Sequence, residues 1–372
     1  MIPVCEPLIG EREIELVLDC LRTGWVSSAG PYLEQFETEW AAYCGMAHGI
    51  AVSNGTTALD IAVRLLNLQP GDEVIMPTFT IISCAQAVIA NGGLPVLVDS
   101  DPQNWQMDVN QIAAKITACT KAIMVVHIYG HPADMDPILS LARKYKLVVI
   151  EDAAETHGAE YKGRRCGGLG DISTFSFYAN KLITTGEGGM VLTQRADLAE
   201  RARSLRNLCF EQERRFLHRE LGHNYRLTNL QAALGVAQLE RLEEIIAQKR
   251  QIAKMYTERL QGLADLQLPF EEEWAKNVYW VYGLVVAEET GLNALDLANR
   301  LAERDIQTRP FFLGMHEQPV FQQMGLFKDE SYPVAERLAR QGLYLPNGLT
   351  LKEQDIDYIC DTVRDCLAAR CR

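Results

Sequence analysis

Between His48 and Ile150 one pattern recurs: a short apolar run, a turn, then a stretch whose apolar residues return at helical spacing. GIAVS leads into NGTTALDIAVRLL, where positions 58, 61, 62, 65 and 66 share one helical face. PGDEVIMP is followed by FTIISCAQAVIANGG, which reads as a helix, and by LPVLVDS as the next strand. Residues 121–128 (KAIMVVHI) and 147–150 (LVVI) are continuous apolar runs of buried-strand type, joined by a helix expected from about Asp134 to Lys146. Strands of this kind alternating with helices confine the chain to an α/β fold with a largely parallel sheet, where ligands sit at the carboxyl ends of the strands.

The remaining segments fall around that sheet. Residues 11–22 read as a short amphipathic lead-in through Ile14, Val17, Leu18 and Leu21, and a second helix starts after Pro31. DISTFSFY and GGMVLTQ end the sheet; a charged helix near 196–208, an Arg-rich stretch to about 220 and one long helix from about Asn229 to Leu260 follow. The apolar and small residues of that long helix, among them Ala232, Ala233, Val236, Leu239, Leu242, Ile245 and Ile246, form a broad stripe fit for a domain or subunit contact. From about 262 the pattern turns to α+β, with a strand at YWVYGLVV, a helix at ALDLANRLAERD, an Arg-Pro loop and a terminal helix. At 372 residues the chain exceeds the usual single-domain size. The expected division is an N-terminal segment (1–30) joining the active site and the small domain, a large α/β domain (31–250) and a smaller α+β domain (251–372).

A net charge of −13 argues against nonspecific binding to nucleic acid or to anionic membranes, since both need a basic face. An anionic small ligand would need locally placed donors. The ten cysteines are scattered, with no Cys-x-x-Cys pair and no Cys/His cluster at metal spacing, so reduced thiols in a cytoplasmic enzyme without a metal are expected. The N-terminus lacks the basic flank and apolar core of a signal peptide, and no apolar run reaches membrane-spanning length.

Three places could carry chemistry. Phe175 to Met190 reads FSFYANKLITTGEGGM, which sets Lys181 close to a probable buried strand, where an amine is costly without a partner or a covalent task. Asp152 closes the strand LVVIED beside the small residues Ala153 and Ala154. SNGTTAL puts Gly55, Thr56 and Thr57 at a helix N-terminus, where free amide groups and the helix dipole attract a phosphate. Each has a plainer reading: a solvated surface lysine, a capping or ion-paired aspartate, an ordinary turn with an N-cap. Ser27 and Ser28, in a Gly/Ser loop, are likewise ligand donors or turn residues bonded to their own backbone. Together the cradle, the acid and the lysine match the needs of pyridoxal 5'-phosphate: a Schiff-base amine, a carboxylate for the ring nitrogen and donors for the phosphate.

The segments WVSSAGPYLEQFE, VSNGTTAL, GDEVIMPTFT, VIEDAAETHGAEYKG, GDISTFSFYANKLITTGEGGM, GHNYRLTNLQAALGVAQLE and TRPFF with a following His occur in an order that resembles the DegT/DnrJ/EryC1/StrS sugar aminotransferases. The resemblance implies the fold type I architecture of pyridoxal phosphate enzymes, with Lys181 as the Schiff-base lysine and Asp152 as partner of the pyridinium nitrogen. It puts Glu155 near the ring hydroxyl, Phe79 on the ring face, and Ser176 with the backbone at Gly55 and Thr56 around the phosphate. Asn224, in GHNYR, matches an asparagine that reaches the phosphate from the second subunit, so a homodimer with shared sites is expected.

The implied reaction moves an amino group from L-glutamate, through pyridoxamine phosphate, to a nucleotide-linked keto sugar, with Lys181 moving the proton. SDPQNWQMDV, KAIMVVHIYGHPADMD and IQTRPFFLGMHEQPVF resemble the members that aminate C4 of GDP-4-keto-6-deoxymannose; the alternatives are other dTDP- or UDP-linked sugars aminated at C3 or C4. Asn180, Arg309 and His316 are candidates for substrate contact, each balanced by a structural reading. Of Arg201, Arg203, Arg206, Arg214, Arg215, Arg219 and Arg226, one or two are expected to meet the diphosphate, the others lying on a solvated face with Glu200, Glu211, Glu213 and Glu220. A sugar dehydratase of the same lineage carries His in place of the Schiff-base lysine, and Lys181 counts against it. A regulatory protein that only binds the cofactor is the non-enzymatic rival.

Overall fold

The computed structural model describes residues 1–368 apart from 212 and 215, so Arg215 and Cys371 lie outside the described residues. Its centre is a seven-stranded sheet made of β1 (His48–Val52), β2 (Glu73–Pro77), β3 (Leu94–Val98), β4 (Thr120–Val126), β5 (Val148–Asp152), β6 (Ile172–Ser176) and β7 (Gly189–Thr193), in the order β1-β7-β6-β5-β4-β2-β3. From β3 across to β6 the strands are parallel, while β7 runs antiparallel to both β6 and β1. That reversal follows from the connection: β6 returns through residues 177–188 without a crossover helix, which only an antiparallel neighbour permits. Helices α1 (Glu11–Thr23), α2 (Pro31–Tyr43), α3 (Gly55–Arg64), α4 (Ser83–Ala90), α5 (Val109–Lys115), α6 (Met135–Tyr145) and α7 (Ala196–Arg206) accompany the sheet, with Pro31 in the first turn of α2.

The long helix expected over 229–260 is two helices, α8 (Asn229–Glu240) and α9 (Leu242–Leu260), parted at Arg241 (φ −118°, ψ 16°). The break has a visible cause: the Arg241 guanidinium bonds the Leu8 carbonyl and lies 2.8 Å from the buried Glu13 carboxylate, and these contacts anchor the corner to the N-terminal segment. Thus α8 packs between α1 and α2, with Ala232, Ala233 and Val236 buried, and α9 leaves in its own direction.

The C-terminal part builds a second, four-stranded sheet from β8 (Leu266–Gln267), β9 (Tyr282–Val286), β10 (Arg309–Pro310) and β11 (Gly342–Leu345), in the order β8-β9-β11-β10, all antiparallel. The strand expected over 279–286 is shorter than its apolar run, because Tyr279 has a left-handed φ of 48° and starts a turn. Helices α10 (Ala294–Ala302), α11 (Pro319–Gln323), α12 (Pro333–Gln341) and α13 (Glu353–Ala368) complete this part. Two apolar cores result, and α9 takes part in both: Leu242, Ile245 and Ile246 pack in the first, Ile252, Tyr256 and Leu260 in the second. The N-terminal residues are tied to the second part by the Ile2–Ile306 bridge and by the Asn347 amide, which donates to the Val4 carbonyl at 2.9 Å. No described helix is long and apolar enough to cross a membrane.

Candidate active site

A cleft of about 480 Å³ opens at the carboxyl ends of β4, β5 and β6, between the start of α3 and three aromatic residues of the C-terminal part, Trp280, Phe312 and Tyr344. Lys181 stands in the connection from β6 to β7. The threonines of that connection shape it: Thr184 Oγ1 donates to the Phe177 carbonyl at 3.0 Å, the Gly186 amide donates to Thr184 Oγ1 at 2.8 Å, and Thr185 Oγ1 donates to the Glu187 carbonyl at 2.7 Å. The Lys181 side chain is only 11% exposed; its Nζ lies 3.7 Å from Glu155 Oε1 and 3.7 Å from the centre of the Trp280 ring. Burial lowers the lysine pKa, and the Glu155 and Asp152 carboxylates oppose that shift.

Both acids are buried. Asp152 ends β5 with Oδ1 accepting the Ala154 amide at 3.1 Å and Oδ2 accepting the Cys84 thiol at 3.2 Å; burial raises its pKa against these bonds and the Lys181 charge. Glu155 Oε2 accepts the Tyr129 amide at 2.7 Å, and burial pushes its pKa up to about 7. Lys181 and Glu155 are therefore both moved toward their neutral forms by the same desolvation. Behind them His157 bonds the Ser176 carbonyl at 2.9 Å; burial, then the Lys181 charge, bring its pKa down to about 3.

Opposite the lysine, Asn54 caps α3: its Oδ1 accepts the Thr57 amide at 2.9 Å and its carbonyl accepts the Ala58 amide at 3.1 Å. The first-turn amides left over are those of Gly55 and Thr56, both lining the cleft. A Cβ on Gly55 would come within 2.7 Å of the Ser176 Cβ, and one on Gly189 within 2.3 Å of the Asn54 carbonyl oxygen. The glycines thus let a helix start lie directly against β6 and β7. Thr56 Oγ1 and Ser83 Oγ share a hydrogen bond of 3.0 Å beside this turn.

These residues fit pyridoxal phosphate: free amides and hydroxyls for a phosphate, a carboxylate at a strand end for a cationic ring nitrogen, and an amine between them. Two buried side-chain atoms of the cleft residues, Thr174 Oγ1 and Asn180 Oδ1, have no hydrogen-bond partner in the chain itself, as expected of groups that meet a ligand.

Gly55, Thr56, Asp152, Glu155, Ser176, Asn180 and Lys181 thus meet in one cleft. Phe79 does not reach it. Its ring is fully buried among Tyr129, Phe311 and Phe312, at 5.9–6.2 Å between centres, and from that turn Thr80, Ile81 and Ser83 line the cleft, Ile81 being 41% exposed. His316 is buried elsewhere, with Nδ1 bonded to Thr78 at 2.8 Å and Nε2 3.3 Å from Glu336. Arg309 is exposed, paired in register with Tyr344. Ser27 is exposed outside the cleft, its carbonyl accepting the Asn229 amide. Asn224 is exposed on the segment bridged to Asn207, also outside its own chain's cleft. Of the arginines, Arg203, Arg206 and Arg226 line a separate cavity with Ser28, while Arg201 pairs with Glu220 and Arg219 with Glu211. Trp280, Phe312, Tyr344, Cys84 and Thr174 carry no local sequence mark as site residues; Trp280, Cys84 and Tyr344 sit among mostly apolar neighbours, Thr174 lies inside a strand and Phe312 beside a second phenylalanine.

Among the described residues, one other cluster of potential ligands, His127, Glu151 and Cys166, is internally satisfied. His127 Nδ1 accepts the Ala133 amide, so Nε2–H donates to Glu151, which also accepts the Gly167, Leu169 and Gly170 amides and the Ser173 hydroxyl.

Comparison with known proteins agrees with this geometry. The profile of the DegT/DnrJ/EryC1/StrS aminotransferase family matches residues 7–364. The GDP-perosamine synthase of Escherichia coli O157:H7 is 41% identical over 364 residues, covering 98% of each chain. That of Caulobacter vibrioides is 42% identical over 359 residues, covering 96% of each. Among solved structures, the aminotransferase TlmJ from Streptoalloteichus hindustanus superposes with a TM-score of 0.93 at 31% identity, covering 99% of each chain. The chain belongs to the DegT/DnrJ/EryC1/StrS aminotransferase family.

Proposed function

We propose that this protein is a pyridoxal phosphate-dependent aminotransferase that takes the amino group of L-glutamate and delivers it to C4 of GDP-4-keto-6-deoxymannose, forming GDP-perosamine. The observation that carries the reading is the Lys181 amine, buried within 3.7 Å of Glu155 and facing a phosphate-binding helix start in the same cleft. The relatives named GDP-perosamine synthase, similar over nearly the whole chain, support the sugar. When bound, the cofactor withdraws electrons from the reacting carbon and carries the amino group between the two half-reactions.

The chain's own residues do the rest. Gly55 and Thr56 amides with Ser176 hold the phosphate at the positive end of α3. Asp152, oriented by Ala154 and Cys84, would hold a positive ring nitrogen, whose charge would favour the carboxylate form that burial opposes. Lys181, whose burial favours the neutral amine, takes and returns the proton at the reacting carbon. Trp280, Phe312 and Tyr344 wall the cleft against water.

We also read the protein as a homodimer in which Asn224 serves the partner's phosphate site. Its exposed position, with Trp25, Val26 and Leu221 exposed as well, supports that reading. A cytoplasmic location fits the nine described cysteines, which are all free.

The test is to add L-glutamate to the purified protein and follow the visible absorbance of the Lys181-bound cofactor, then offer GDP-, dTDP- and UDP-linked keto sugars. Loss of that absorbance and turnover of GDP-4-keto-6-deoxymannose are expected. Unchanged absorbance would end the aminotransferase reading; turnover confined to dTDP or UDP sugars would change the substrate and leave the reaction.

A further inference from the structure

A second lysine is buried more completely than the first. Lys249, on α9, is 4% exposed, and among the described residues no carboxylate pairs with it. Its Nζ donates instead to two backbone carbonyls, Trp280 at 2.9 Å and Asn347. Burial brings its pKa down to about 8, with the Cys5 thiol the one titratable neighbour acting on it. An ammonium held this way is costly, and two well-packed apolar groups would be cheaper.

What the lysine holds is the turn beneath the reacting amine. Tyr279 adopts a left-handed φ of 48°, unfavourable for an aromatic residue, and persists because its surroundings over-determine it. Asn277 Oδ1 accepts its amide at 2.7 Å, and Asn347 Nδ2 donates to its carbonyl at 2.8 Å. The next residue, Trp280, lays its ring 3.7 Å from Lys181 Nζ and donates Nε1–H to the Asn180 carbonyl at 2.7 Å. The same Asn180 carbonyl is approached by the Cys5 thiol at 3.9 Å. From Lys249 to the reacting amine there are thus two steps: a carbonyl, then an indole.

We propose that Lys249 is a positioning residue for the reaction: by clamping the carbonyls of Trp280 and Asn347 it locks the 279–280 turn and so fixes the Trp280 indole against Lys181 and Asn180. The inference rests on Lys181 being the reacting amine. An indole face favours the charged form of an amine lying over it, so the clamp affects both where the Lys181 amine sits and how readily it loses its proton.

The test uses Lys249→Met, Trp280→Leu and the double variant. In cofactor-free protein, the pH dependence of Lys181 acylation by acetic anhydride, read by mass spectrometry, reports its ionisation without any turnover. Both single variants are expected to move that midpoint to lower pH by about half a unit. In the holoenzyme they are expected to lower kcat roughly tenfold or more while KM for glutamate changes less. The double variant should be no worse than Trp280→Leu alone. Additive losses, an unchanged midpoint, or a shift to higher pH, which would report only lost charge repulsion, would each overturn the proposal. If Lys249→Met does not fold, Lys249→Gln, which removes the charge and shortens the reach by one bond while keeping a polar amide, takes its place under the same criteria. A wild-type protein inert to glutamate would remove the aminotransferase reading, while the acylation profile would still decide the clamp.

Discussion

Lys181 and Lys249 are both buried, and burial lowers the pKa of each, yet they sit in opposite kinds of surroundings. Lys181 borders a cleft, faces two carboxylates and lies in a turn with ligand-ready amides across from it. Lys249 is buried with its amine bonded to two backbone carbonyls and paired with no carboxylate among the described residues. Burial of an amine therefore does not by itself mark a reacting group; the acids and the open space beside Lys181 are what support reading it as one.

The sharpest division between the two is turnover. Lys181→Ala is expected to abolish the glutamate half-reaction, since positioned proton transfer is worth roughly 10²- to 10⁴-fold, whereas Lys249→Met should keep measurable activity. Stopped-flow absorbance on both variants checks it, and comparable losses would erase the distinction. Asp152→Asn, which removes the charge facing the ring nitrogen and keeps the shape, should lower kcat by ~10²-fold. Steady-state kinetics would show it, and a change under tenfold would remove Asp152 from the site.

The Lys181 site is expected to be completed by a second chain, and the Lys249 junction is not. Mixing Lys181→Ala with Asn224→Ala, each inactive alone, should restore about a quarter of wild-type activity, because half the dimers then carry one intact site. No recovery after subunit exchange would make the site self-contained.

The smallest effects are in stability and have opposite signs. Glu155, raised to about 7, favours the cofactor-free fold fully below the usual carboxylate range, and this contribution is lost as pH rises through 7. Lys249, lowered to about 8, contributes fully above the ordinary lysine range, and that is lost as pH falls through 8. Melting curves should show Glu155→Gln flattening a decline between about pH 4.5 and 7, and Lys249→Met flattening a rise between about pH 8 and 10, by ~2–4 °C each. Parallel wild-type and variant curves would contradict these assignments.

Much of this was legible in the chain. The alternation from His48 to Ile150 fixes the parallel strands, so Asp152 at the end of β5 and the Asn54–Gly55 turn at the start of α3 follow from periodicity and capping chemistry. Lys181 was legible because an apolar run and a glycine cluster bracket it. Trp280, Phe312 and Tyr344 were not, since they come from chain about 100 residues or more beyond Lys181 and are apolar residues among apolar residues. That Thr80 and Ile81 line the cleft while Phe79 is buried depends on how the chain bends after β2, a detail that sequence spacing does not reveal. The corner at Arg241 was hidden because both helices continue the same apolar stripe, and only contacts to Leu8 and Glu13 break it.

Because α9 contributes its first turns to one core and its last to the other, the two halves share a single rod of 19 residues, ~28 Å long. Opening them like a jaw would require bending that rod or tearing it from a core. The shared rod thus favours a fixed relation between the two parts, and leaves loops and side chains at the rim as the elements free to move without disturbing either core.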